Sequence, residues 1–318
     1  MRIATTLAST LASVLLGLAL APSHQHSFAT AAPVRVQAQV QAEVPSSSSS
    51  SSSSPLARGL TPIHIGGLTT YSNDPSYTLA AARTDLNKIM DWAGDSGRLS
   101  ASQTTETLAA ILDCANRYFP ELPTKKIARA IMADIRAESD FSAGAVSPGR
   151  AGSGDSWGLL QVSQDGSREL TLFQDHARIK TSRAGALPDW PASSGSTLNV
   201  RALTKGDLLR PWINIHIATW VQANLGKTGS LDPYDWAAVN QGSRSSTGGC
   251  ARNMRTAYGS WVAGPHPDGQ SSYLRSGDHI SAPYLRRIVN GVSAISGQPL
   301  SLSWLEGLTL NAGVVDFH

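Results

Sequence analysis

Three isoleucines, Ile127, Ile131 and Ile135, stand four residues apart in an unbroken run from Lys125 to Glu138. That spacing lays them on one face of a helix, and Pro123 and Thr124 ahead of the run supply a start. A face this apolar has to be buried, so the chain must build a core around it. Glu138 follows Ile127 by eleven residues, and at roughly 100° per residue it falls about 20° beyond three full turns. The helix therefore carries a carboxylate along its buried stripe. At the last turn that group meets the negative end of the helix dipole, and burial penalises its charged form, so both effects raise its pKa. An acid that keeps its proton near neutral pH, at the edge of the glycine-rich stretch 149–158, has what protonation of a glycosidic oxygen requires. The bland alternative is a glutamate whose stem covers apolar surface while its head reaches water.

Other periodic segments point the same way. Leu108, Ile111, Leu112 and Ala115 repeat at helical spacing, as do Ile213, Ile217, Trp220 and Val221, and Leu285, Ile288, Val289 and Val292. Pro211 is placed to open the second of these helices and Gly226 to close it. Alternation of the strand type is scarce, so the fold class is mainly α. The stretch from about Asp165 to Arg210 has weak periodicity and many Ser, Gly and Pro residues, and reads as an extended surface insertion.

The 318 residues, 41% of them hydrophobic, suffice for one large or two ordinary domains with a buried core. Arg2 followed by an apolar stretch from Leu7 to Ala21 fits a secretory signal, assigned to residues 1–32, with cleavage near Ala31 or Ala32 because Pro22 disfavours a cut after Ala21. A membrane anchor fits less well: the stretch is short, and His24, Gln25 and His26 follow it where a basic stop-transfer cluster would stand. Nine consecutive serines, Ser46 to Ser54 between Pro45 and Pro55, cannot bury apolar surface, so residues 33–55 read as a linker and the folded domain as residues 56–318. Export makes a Cys114–Cys250 bridge the expected fate of the two cysteines, the alternative being two buried free thiols. The net charge of +3 suits anionic cell walls, and without a basic run it gives no support to nucleic-acid binding.

Taken together, Glu138-Ser139, Ala145-Val146-Ser147, Gly158-Leu159-Leu160-Gln161-Val162, Pro211 to Asn214-Ile215 and Asn240-Gln241-Gly242 resemble the lysozyme-like superfamily of lytic transglycosylases and goose-type lysozymes. The matching blocks span about residues 120–262 in the family's order, a combination far more specific than any one of them. The resemblance implies a helical domain with a cleft and long surface loops. Its activity would be cleavage of the β-1,4 bond between N-acetylmuramic acid and N-acetylglucosamine in peptidoglycan, with no cofactor. It implies Glu138 as the catalytic acid, and Ser147, Gln161 and Asn240 as residues of the sugar cleft. Trp157 is either a sugar-stacking face or an ordinary core aromatic. The chain departs from the pattern at Val239, where the family commonly has a tyrosine. The loop from Gly149 to Trp157 is long, as in goose-type lysozymes, which makes Asp155 a candidate second carboxylate; Ser163 stands where a further aspartate would be, with Asp165 two residues later. An inverting hydrolase needs that second carboxylate, whereas a transglycosylase can use the sugar's own hydroxyl, so both reactions stay open. The expected product is a secreted, extracellular monomer acting on peptidoglycan or a related N-acetylated polysaccharide.

Rival readings are a chitin- or chitosan-cleaving enzyme and a non-catalytic wall-binding protein that keeps the scaffold. Gly154-Asp155-Ser156-Trp157-Gly158 also fits the serine nucleophile elbow, but the polar stretch before it is no strand, and none of His64, His176 or His216 sits in a partner motif. Without H-E-x-x-H, and with two distant cysteines, a metal site has no motif.

Overall fold

The computed structural model describes residues 61–149, 154–165, 168–180, 186–191, 197–228, 251–263, 281–313 and 315. The signal and linker segments, Val239, Asn240 and Cys250 lie outside them. In chain order, β1 (Thr61–Ile65) and β2 (Leu68–Ser72) make an antiparallel hairpin around Gly66-Gly67. Three helices follow, α1 (Leu79–Ala93), α2 (Ala101–Tyr118) and α3 (Thr124–Ser139), and the hairpin, whose Ile63, Ile65, Thr70 and Ser72 are buried, packs on α2. Ser100 and Gln103 close a capping box at the start of α2. Pro123 has no side chain to cap α3, and Asn73 Oδ1 accepts from the Thr124 N–H at 2.9 Å in its place.

Three two-residue strands, β3 (Val146–Ser147), β4 (Ser156–Trp157) and β5 (Val162–Ser163), form a small antiparallel sheet. Then come α4 (Glu169–Lys180), the β6 (Ala186–Pro191) and β7 (Thr197–Asn199) pair, and 3-10 turns at Val200–Ala202 and Lys205–Leu209. The long helix α5 (Pro211–Thr228) follows, and α6 (Met254–Ala263), α7 (Ser281–Ser296) and α8 (Leu302–Glu306) complete the order. The protein is mainly helical, as its periodicity predicts. No helix among the described residues is long and apolar enough to cross a membrane.

The predicted apolar stripes of α2, α3 and α7 are all buried. Three expectations are corrected. The stretch read as an extended surface insertion, about Asp165 to Arg210, carries a core helix: Leu170, Phe173 and Ala177 of α4 are buried, and Phe173 meets Trp220 of α5 edge-on with ring centroids 5.3 Å apart. Helix α5 is buried all round, not along one stripe, and its polar Asn214, His216, Thr219, Gln222 and Asn224 lie inside. Gly226 does not end α5; a Cβ there would stand 2.5 Å from Leu310 Cδ1 and 3.0 Å from Ala257 Cβ, so the position is a close contact with α6. Gly291 of α7 plays the same part against α3, where its Cβ would meet Ala133 Cβ at 2.9 Å. That crossing brings α7 close enough to α3 for their side chains to share hydrogen bonds.

The Cys114 thiol is free and fully buried in α2, and burial pushes its pKa up. The Cys114–Cys250 bridge is thus not seen, its second member lying outside the described residues. Asp85 of α1, nearly buried, receives Arg129 of α3 through Nε at 2.7 Å and Nη2 at 3.0 Å, with the Tyr77 hydroxyl at 3.1 Å. Removing one member of a buried pair leaves the other charge uncompensated. Arg129→Ala is therefore expected to lower unfolding free energy by about 3 kcal/mol, read as a lower urea midpoint at unchanged slope.

Candidate active site

Glu138 sits in the last turn of α3, which ends at Asp140 in left-handed conformation (φ 51°). Its side chain is half-buried, and two donors converge on one of its oxygens: Trp261 Nε1 of α6 at 2.9 Å and Tyr284 Oη of α7 at 2.7 Å, both to Oε1. Among the described residues Oε2 has no such donor. One turn earlier on the same face lies Asp134, fully buried, within hydrogen-bond distance of the same Tyr284 hydroxyl and holding Gln222 Nε2 of α5 at 2.7 Å on Oδ2. Four helices thus meet at two carboxyl groups.

Burial is the largest influence on both. It pushes the Glu138 carboxyl up, against the hydrogen bonds of Tyr284 and Trp261 and the charge of Arg287, which favour its ionised form. Asp134 is pushed up to about 8 by burial and by the neighbouring Glu138 charge. Two carboxyl groups in one dry network do not both ionise readily.

A second assembly holds the Gly158–Val162 loop. Asn214, buried on α5, accepts from the Leu160 N–H through Oδ1 and donates to Trp157 O through Nδ2, each at 2.7 Å. Gly158 has φ 74° with no room for a Cβ, and Leu159, Leu160 and Val162 are buried beneath the loop. Gln161 is partly exposed and left-handed (φ 51°), an uncommon state for a side-chain-bearing residue. Its Nε2 donates to Gly158 O at 2.8 Å, while Oε1 has no partner among the described residues. Together with Asp140 and Phe141 (φ 58°), this puts local backbone strain at the ends of both segments.

The other predicted residues separate. Ser147 is exposed on β3 opposite Ser156, and Asp155 is exposed in the loop before β4. Neither has a hydrogen bond to the Glu138 network among the described residues. Trp157 packs against the core with Lys205 Nζ 5.5 Å over its ring, so a sugar on that face would displace the lysine. Ser163 is buried, its N–H donating to Glu169 Oε2 at 3.0 Å. Asn240 is outside the described residues. Ser156 lies within a strand, not on a strand-to-helix elbow, and His216, although 3.4 Å from Asp113 and 3.0 Å from the Tyr118 hydroxyl, is fully buried and held well below its ordinary pKa by that burial.

Sequence reasoning misses Asp134, Gln222, Trp261 and Tyr284. A signal exists for Asp134, which is seven residues after Ile127 and so on the buried stripe. None exists for Trp261 and Tyr284, which approach Glu138 across 123 and 146 residues of chain. Because the Tyr284 bond favours ionised Glu138, Tyr284→Phe is expected to raise the Glu138 pKa. The sign follows: Glu138 keeps its proton to higher pH, so the alkaline limb of any activity that uses it as an acid moves upward, a shift a pH–rate profile detects.

Comparison with family models, with curated proteins and with solved structures finds no match to this chain.

Proposed function

We propose that this chain is a glycosidase of the lysozyme-like type that cleaves the β-1,4 bond between N-acetylmuramic acid and N-acetylglucosamine in peptidoglycan, with Glu138 as general acid. The observation that carries this reading is the fixation of Glu138 Oε1 by Trp261 and Tyr284. A carboxylic acid whose carbonyl oxygen accepts two bonds keeps its proton on Oε2, free for a substrate oxygen. The ordered motifs around Glu138, Gln161 and Asn214 support the same reading, and Tyr284 offers Glu138 the kind of hydroxyl contact that Val239 withdraws.

In this mechanism Oε2–H protonates the glycosidic oxygen as the bond to the anomeric carbon breaks, and the leaving sugar departs neutral. The oxocarbenium-like centre is then attacked by an oxygen nucleophile, whose proton passes to a separate base in the hydrolytic form and returns to Glu138 in the transglycosylating form. Ser147, Trp157 and Gln161 are the proposed sugar contacts. In the hydrolytic form the nucleophile is water and Asp155 is the proposed base. One observation favours the second form, transglycosylation by the sugar's own hydroxyl. The carboxyl group that shares the Glu138 network is Asp134, which is fully buried on the same helix and so cannot stand across a water-filled gap as an inverting base must.

The test is digestion of purified peptidoglycan, with chitin and chitosan in parallel, followed by mass analysis. Reducing muramic ends mean hydrolysis and anhydro ends mean transglycosylation. Release from chitin alone moves the substrate assignment, and binding without cleavage of any of the three overturns the enzymatic reading.

A further inference from the structure

The Tyr284 hydroxyl touches two carboxyl oxygens, Asp134 Oδ1 and Glu138 Oε1. A phenol has a single hydrogen, so it can donate along only one of these contacts, and the other must be filled by a proton that belongs to a carboxyl group. Two further bonds decide which. Gln222 Nε2 donates to Asp134 Oδ2, so an Asp134 proton belongs on Oδ1, facing Tyr284. Trp261 Nε1 donates to Glu138 Oε1, which is already an acceptor. Asp134 is fully buried, whereas Glu138 is half-buried and has Arg287 in its field, so a negative charge costs more at Asp134.

We infer that Asp134 is a positioning residue for Glu138: as a neutral acid it donates to Tyr284, Tyr284 therefore donates to Glu138 Oε1, and the transferable proton of Glu138 is confined to Oε2. The inference rests on the glycosidase reading and adds to it the direction of the hydrogen-bond chain. Were Asp134 ionised, Tyr284 would turn its hydrogen inward, Oε1 would lose a donor, and the proton of Glu138 would divide between two oxygens, only one of them usable. Among the described residues, the other groups around the pair are Tyr258 on α6 and Arg287 on α7, with neutral Gln222 from α5. Burial raises Tyr258 and Tyr284 alike, so both stay phenols and neither takes the Asp134 proton.

Asparagine at position 134 can reproduce the neutral acid, with Nδ2 donating toward Tyr284 and Oδ1 accepting from Gln222; leucine can do neither. With the full chain on peptidoglycan, Asp134→Leu is expected to lose at least about tenfold in kcat at similar KM. Asp134→Asn should rescue most of that loss and keep the alkaline limb where it stands in wild type. If Asp134→Asn falls as far as Asp134→Leu, Asp134 acts through its charge and the inference is overturned. A second measurement does not depend on activity: carboxyl ¹³C NMR of the wild type, assigned with Asp134→Asn and Glu138→Gln. A protonated Asp134 at pH 6 supports the chain's direction, and an ionised Asp134 at that pH refutes it. An inactive wild type with a protonated Asp134 sinks the glycosidase reading, and the catalytic role with it, while the hydrogen-bond order stands.

Discussion

Glu138→Gln is expected to reduce polysaccharide cleavage by about 10²- to 10⁴-fold, the usual contribution of a positioned general acid, while binding to the wall is retained. The amide keeps the local structure for a definite reason: its Oε1 can still accept from Trp261 and Tyr284, the two bonds that hold the carboxyl group in place. What it lacks is an acidic proton at the second oxygen. Turbidity loss of a peptidoglycan suspension, with mass analysis of the soluble products, measures the effect, and circular dichroism confirms an unchanged fold. Equal activity in variant and wild type would remove Glu138 from the chemistry and return it to the role of a capped, half-buried helix-end glutamate.

The largest expected loss of stability is at Gly158. A Cβ there would lie 2.3 Å from Leu208 O and 2.5 Å from Asn214 Nδ2, and φ is 74°. Neither neighbour is the loose end of a flexible chain. Leu208 contributes main chain, and Asn214 is pinned by two hydrogen bonds of its own. Gly158→Ala must therefore strain the backbone and also break the Asn214 clamp, at a combined cost of about 3 kcal/mol or more. For a domain of this size that lowers Tm by roughly 6–12 °C, read by calorimetry. Because Gln161 lies on the same loop, activity should fall with stability. A variant within about 1 kcal/mol of wild type would mean that the loop yields and that Asn214 is not its anchor.

How much could be read in advance differs by element. The apolar spacing in α2, α3 and α7 located those helices because each buries one face, and burial of one face writes a 3.6-residue period into the chain. Helix α5 shows the limit: it is surrounded on all sides, so its period is blurred and its buried polar residues look like a solvent face. The β1–β2 hairpin had a local signal that periodicity for helices passes over, two alternating runs around Gly66-Gly67. Helix α4 was hidden by its neighbours in sequence, since the three buried apolar side chains among its described residues, Leu170, Phe173 and Ala177, are few against the Ser, Gly and Pro that follow.

What the sequence by itself determined is the position and phase of Glu138, because a helix converts residue spacing directly into direction. Why position 158 is glycine was not legible there, because the atoms that would crowd a Cβ, Leu208 O and Asn214 Nδ2, come from distant parts of the chain. The state of that glutamate was decided only by the tertiary structure. Its donors, Trp261 and Tyr284, and the Asp134–Gln222 bond behind them come from helices separated by long stretches of chain. Hydrogen bonds and desolvation depend on distances in space, and no spacing rule along a single chain encodes which helices will cross where Gly291 and Ala133 let them meet.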